Sequence, residues 1–134
     1  MEIKVTSTSQ PKNFVGTNDR AQHTDLSGDL SSASPMEALL MACAGCTAID
    51  VESLLQKMRQ SFDKIEIIAT GTRADTVPKI FTAIHLHYTI FGNASLDKVA
   101  KAIEMSLTQY CSVSLMIKKS VPFTYSFEVL SSKE

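Results

Sequence analysis

From Pro35 to about Gln60 the chain carries the pattern of one long helix, and its first half is almost devoid of polar residues. Between Ala38 and Ile49, Thr47 is the only plainly polar side chain. A helix that is apolar all round must be covered all round. At 1.5 Å per residue this helix is roughly 39 Å long. A compact chain of this size has a radius of gyration of only roughly 14 Å. One small subunit can hardly wrap such a rod, so a partner subunit is expected to cover part of it. Its start is well marked: Ser34 stands as N-cap, Pro35 opens the first turn, and Glu37 three positions on completes a capping box. Beyond Asp50 the spacing turns amphipathic, with Val51, Leu54, Leu55 and Met58 set between Glu52, Gln56, Lys57 and Arg59.

Strand patterns flank this helix. Glu2 to Ser9 alternates, with Ile3, Val5 and Ser7 on one face. Phe14 to Gly16 followed by the turn residues Asn18 and Asp19 predicts a second strand and a hairpin. The serine-rich run from Gly28 to Pro35 reads as a loop. Ile65, Ile67 and Ala69 make one strand. Lys79 to Phe91 alternates as another, with Ile80, Thr82, Ile84, Leu86, Tyr88 and Ile90 on one face and Phe81, Ala83, His85 and His87 on the other. Asp75 to Pro78 is the turn between these two strands. Ser95 caps a second helix carrying Leu96, Val99, Ile103, Leu107 and Tyr110 on one face; it continues, with room for a break, through Met116 and Ile117 and ends near Lys118 and Lys119, and a final strand follows Pro122. Strands, helix, two strands, helix and strand make an α+β pattern over residues 1–134, read as a single domain with antiparallel sheets packed on two long helices.

Composition narrows the function. A net charge of −1 with scattered lysines and glutamates leaves no basic footprint for nucleic acid. No run of about 18 uninterrupted apolar residues predicts a membrane span. Met1 to Lys4 opens a strand pattern rather than a signal peptide, so a cytoplasmic, thiol-reducing setting is expected. Three cysteines, an odd number, argue against a structural disulfide framework.

The chemistry-bearing residues are therefore the thiols. Cys46 sits in the apolar helix and Cys111 far away on the second. Cys43 and Cys46, three apart, share a helix face. Their place two to three turns into the helix removes them from the terminus that activates thioredoxin-like pairs. Zinc would need four ligands, drawn from Cys43, Cys46, Cys111 and His85 or His87. The plainest alternative is that all three cysteines are small core residues. His85 and His87 fit a polar strand face bonded to its neighbours. Arg20, Arg59 and Arg73 are the only arginines able to stabilise a thiolate.

Three segments carry a resemblance. Ser34-Pro35-Met36-Glu37-Ala38-Leu39-Leu40-Met41, Gly45-Cys46-Thr47-Ala48-Ile49-Asp50-Val51 and Tyr110-Cys111-Ser112-Val113-Ser114-Leu115-Met116 together resemble the OsmC/Ohr family, in order and spacing over essentially the whole chain. The strand Lys79 to Tyr88 resembles a less characterised branch of it. The resemblance implies an OsmC-like α+β fold built as an interlocked homodimer. It implies a thiol-dependent peroxidase acting on organic hydroperoxides, with no cofactor or metal and an external thiol reductant. Cys46 would attack the peroxide and Cys111 resolve the sulfenic acid as a disulfide. Peroxidase members add an arginine from the N-terminal region and a glutamate soon after the proline. Arg20 is the nearest candidate for the first. For the second, Met36 stands at the counted position and Glu37 one residue on, a turn of about 100°. Two other functions remain open: a non-enzymatic module holding a small apolar ligand at the dimer cleft, and a metal site using Cys43, Cys46 and Cys111.

Overall fold

The computed structural model describes residues 1–131. Contacts divide the chain into two compact units, Met1–Leu39 and Leu40–Glu134. In the first, β1 (Lys4–Ser7), β2 (Asn13–Thr17) and β3 (His23–Ser27) form an antiparallel sheet in that order. Asn18 makes the β2–β3 turn, its Oδ1 accepting the backbone N–H of Arg20 and of Gln22, each at 3.0 Å. Val5, Phe14 and Leu26 line an apolar hollow of about 460 Å³ on this sheet. In the serine-rich loop, Asp29 accepts the Ser31 hydroxyl at 2.6 Å and the Asn13 amide at 3.1 Å.

The expected capping box opens α1 (Pro35–Lys57): Glu37 N–H donates to Ser34 Oγ at 3.1 Å and Ser34 N–H donates to Glu37 Oε1 at 2.9 Å. This helix runs on through the second unit, where Cys43, Thr47, Val51 and Leu55 are buried. These four are spaced one turn apart and form a single inward line. Another side of the helix is open among the described residues: Met41 is 61% and Ile49 68% exposed. Gly45, on the same open side, has nothing within 4 Å of where a Cβ would stand. By length and composition α1 is also apolar enough to cross a bilayer, although it lacks an uninterrupted apolar run. A core helix meets the same test, and Thr47 on its inward line is hydrogen-bonded into this unit.

The second unit's sheet has the order β4-β5-β6, with β4 (Phe62–Arg73), β5 (Phe81–Gly92) and β6 (Phe123–Leu130). β4 and β5 are antiparallel, as expected. β5 and β6 are parallel, which corrects the all-antiparallel reading. The chain between them passes through α2 (Leu96–Met105), a π-helical turn (Ser106–Tyr110) and α3 (Ser112–Ile117), a crossover long enough to return β6 in the same direction. The second helix is thus not continuous but breaks at Cys111, whose backbone is extended at φ −75° and ψ 97°.

Phe81 is a second correction. A register shift between Thr72 and Arg73 pairs Arg73 with Phe81 and Thr72 with Ala83, leaving Thr82 as the extra residue of a bulge. The bulge puts Phe81 on the buried side with Ile84, Leu86, Tyr88 and Ile90, while Ile80 is exposed. The Phe81 ring lies over Gly71, in the space that a side chain there would take.

Candidate functional site

Thr47 is the first clue to the site, because a lone hydroxyl in an apolar helix needs a partner. It has two: Tyr88 Oη from β5 at 2.8 Å and Ser106 Oγ from the π-helical turn at 2.7 Å. All three side chains are buried. Ser106 Oγ in turn donates to Asp50 Oδ2 at 3.0 Å. That bond uses the one proton of Ser106, so Thr47 donates to Ser106 and Tyr88 donates to Thr47. The result is a directed chain from Tyr88 through Thr47 and Ser106 to Asp50. Burial pushes the Tyr88 phenol well above its ordinary pKa, against the pull of the Thr47 bond, so it stays a donor.

Asp50 lies one helical turn beyond Cys46, on the same face of α1. The Cys46 and Cys111 sulfurs and an Asp50 carboxylate oxygen all lie within 4.8 Å of one another. Cys46 and Asp50 are half-buried and Cys111 is buried. The helix break delivers Cys111 to this point. Its backbone N–H donates to the Ser106 carbonyl at 2.7 Å, closing the π-helical turn, and its side chain caps α3. The thiol donates to Ser114 Oγ at 3.0 Å, and Ser114 N–H donates to the sulfur at 3.4 Å. Lys118 Nζ takes up the carbonyl of Leu107 at 2.8 Å, where the helical ladder is interrupted. A cavity of about 260 Å³ lined by Asp50, Ser53, Leu54, Lys57 and Tyr110 adjoins the cluster through Asp50.

Burial pushes the Cys111 thiol up, the two Ser114 bonds draw it partly back, and the Cys46 sulfur beside it raises it again. Such a thiol is protonated at neutral pH and suits the second, resolving role better than the first. Burial, followed by its two sulfur neighbours Cys111 and Cys46, pushes Cys43 up to about 11 from 9.0. A thiol with a raised folded-state pKa holds its proton where the unfolded chain loses it. Its contribution to stability is whole below about pH 9 and is lost as pH rises towards 11. Cys43→Ala is therefore expected to show a shallower alkaline loss of thermal stability than the wild type, read by melting curves across that range. Parallel slopes would contradict this.

The sequence model of the OsmC-like protein family matches residues 27–126. The chain belongs to the OsmC-like family. Among relatives of this OsmC-like protein, Protein YhfA of Escherichia coli K12 is 46% identical over 107 residues, 79% of each chain. A hypothetical protein of Aquifex aeolicus VF5 superposes with a TM-score of 0.89 at 28% identity, over 97% of this chain and 96% of that one. An organic hydroperoxide resistance protein OsmC of Legionella pneumophila shares the fold, with a TM-score of 0.73 at 14% identity over 96% of each chain.

Within the second unit of this OsmC-like chain, the expected site residues Cys46 and Cys111 come together. Glu37 is engaged in the capping box, and the Ser34 N–H holds its carboxyl below the usual range. Arg20 is exposed in the β2–β3 turn, its Nε donating to Gln22 Oε1 at 3.1 Å. Within the second unit no hydrogen bond among the described residues brings a lysine or arginine to either sulfur. His85 and His87 lie on the β5 face opposite Leu86 and Tyr88, bonded to Thr124 and Ser126 of β6. They are thus turned away from the thiols, as the polar-face reading expects. Asp50, Ser106 and the role of Thr47 were not foreseen. Asp50 had a signal in its four-residue spacing from Cys46; Ser106 had none.

Proposed function

We propose that this protein is a thiol-dependent peroxidase that reduces organic hydroperoxides. The observation that carries the reading is the approach of the Cys46 and Cys111 sulfurs to within 4.8 Å, from two helices remote in sequence. Cys46, half-buried and on the unbroken helix, is the attacking thiol. Its thiolate takes the distal oxygen, the O–O bond breaks, and the alkoxide leaves as alcohol with a proton. Cys46 is then a sulfenic acid. The Cys111 sulfur attacks the Cys46 sulfur, the S–O bond breaks, and water leaves carrying the Cys111 proton. Asp50, with its Oδ2 fixed by Ser106, is the group placed to pass that proton across. An external thiol reductant then returns both cysteines to thiols.

Family membership and the thiol pair support the activity. The resemblance alone supports Arg20 as the cation that stabilises the Cys46 thiolate. Helix capping, rather than catalysis, is the role that Glu37's own bonds support. A homodimer is the assembly favoured by the open apolar side of α1, where Met41 and Ile49 are exposed. A second reading, a module that binds a small apolar ligand, draws on the hollow lined by Val5, Phe14 and Leu26. Stopped-flow mixing of reduced protein with cumene hydroperoxide separates the two. Stoichiometric consumption, faster than with hydrogen peroxide, is expected of the peroxidase. Absence of consumption would overturn that reading and leave the binding module.

A further inference from the structure

Cys46, Asp50 and Cys111 form a donor set of two sulfurs and one oxygen, all within 4.8 Å. That chemistry is selective. Magnesium and calcium require all-oxygen shells, whereas thiolates with a carboxylate suit a borderline-soft, tetrahedral ion of the zinc class. Around such an ion, with Zn–S bonds of about 2.3 Å, the two sulfurs stand about 3.8 Å apart. The two sulfurs therefore need to draw in by at most about 1 Å. Two of them sit one turn apart on a single helix, the spacing by which helical metal motifs place paired ligands on one face. The third enters from the break before α3. Ser106 holds Asp50 Oδ2 at 3.0 Å and is itself held by Thr47, the kind of outer support that orients a ligating carboxylate. Cys43 is not part of the set; Asp50 takes the place that the sequence reading gave it. Three chain ligands leave a fourth position for solvent, and Asp50 also lines the adjoining cavity of about 260 Å³.

We propose that the reduced protein binds one zinc-class divalent cation per chain through Cys46, Asp50 and Cys111. Binding exchanges the thiol protons for the ion and changes no oxidation state. The proposal rests on the geometry and not on the peroxidase reading. The two uses exclude each other: an ion on both sulfurs blocks attack on a hydroperoxide, and a Cys46–Cys111 disulfide has no thiolate to offer.

Cadmium is the probe, because its thiolate charge-transfer absorption reports the sulfurs directly and needs no peroxide. Anaerobic titration of the reduced wild type is expected to saturate at one ion per chain. Cys46→Ser and Cys111→Ser should each lose the two-sulfur band. Asp50→Asn, nearly isosteric, should weaken binding at least tenfold, while Cys43→Ala should bind as the wild type does. No charge-transfer band in the folded wild type would overturn the proposal. So would a band that survives Cys46→Ser, or one lost in Cys43→Ala. If the titration fails while reduced protein still consumes cumene hydroperoxide, the ion site alone is wrong. A protein that binds cadmium but leaves the hydroperoxide untouched loses only the peroxidase reading.

Discussion

The Cys46→Ser protein is expected to consume cumene hydroperoxide at least about 10³-fold more slowly than the wild type. A serine hydroxyl keeps the shape of the thiol, so the α1 surface and its neighbours are preserved, but it supplies no nucleophile at neutral pH. Neither of the other thiols is placed to substitute. Burial keeps both Cys111 and Cys43 protonated well above neutral pH, and both are enclosed. Melting temperature and far-UV circular dichroism should be close to wild type. A Cys46→Ser protein that retains activity would move the attacking role to another residue and remove the basis of the mechanism.

Cys111→Ser separates the two halves of the cycle. The first oxidation should proceed at close to the wild-type rate, because the attacking thiol is intact. Steady-state turnover with a dithiol reductant should fall by about 10²-fold or more, since the sulfenic acid has lost its partner. That sulfenic acid should be trapped by dimedone, and excess hydroperoxide should carry it on to the irreversible sulfinic acid. In the wild type both products should be scarce. Undiminished turnover in Cys111→Ser would mean that the reductant attacks Cys46 directly and that the approach of Cys111 has no catalytic consequence.

Much of this architecture was legible in local pattern. Ser34, Pro35 and Glu37 marked the start of α1 because a capping box is a contact within four residues. Ser95 marked α2 in the same way, its Oγ accepting Lys98 N–H at 3.2 Å. The alternation of Ile84, Leu86, Tyr88 and Ile90 announced the buried face of β5. What was not legible depends on register or on distant partners. A single extra residue in β5 turned Phe81 inward, and alternation has no means of recording a bulge. The parallel pairing of β6 with β5 follows from how the crossover folds back rather than from the strand's own residues. A break in the second helix was allowed for, but its place at Cys111 was not legible, because Leu107, Tyr110, Met116 and Ile117 carry an apolar tendency across it.

The site divides along the same line. Cys46 and Cys111 stood out through their surroundings and the family pattern. Thr47 was conspicuous as the one hydroxyl in an apolar stretch, yet its partners lie 41 and 59 residues away. Asp50 looked like the beginning of the polar half of α1. Its spacing from Cys46 puts it on the thiol's face of α1, and the π-helical turn adds what the sequence did not show, the Ser106 hydroxyl that donates to its Oδ2.

Peptide mapping after stoichiometric oxidation tests the central claim most directly. Reduced protein treated with one equivalent of cumene hydroperoxide, alkylated and digested, should yield a disulfide-linked pair of peptides bearing Cys46 and Cys111, with Cys43 recovered fully alkylated. Recovery of all three cysteines as alkylated thiols, or a disulfide that includes Cys43, would contradict the account.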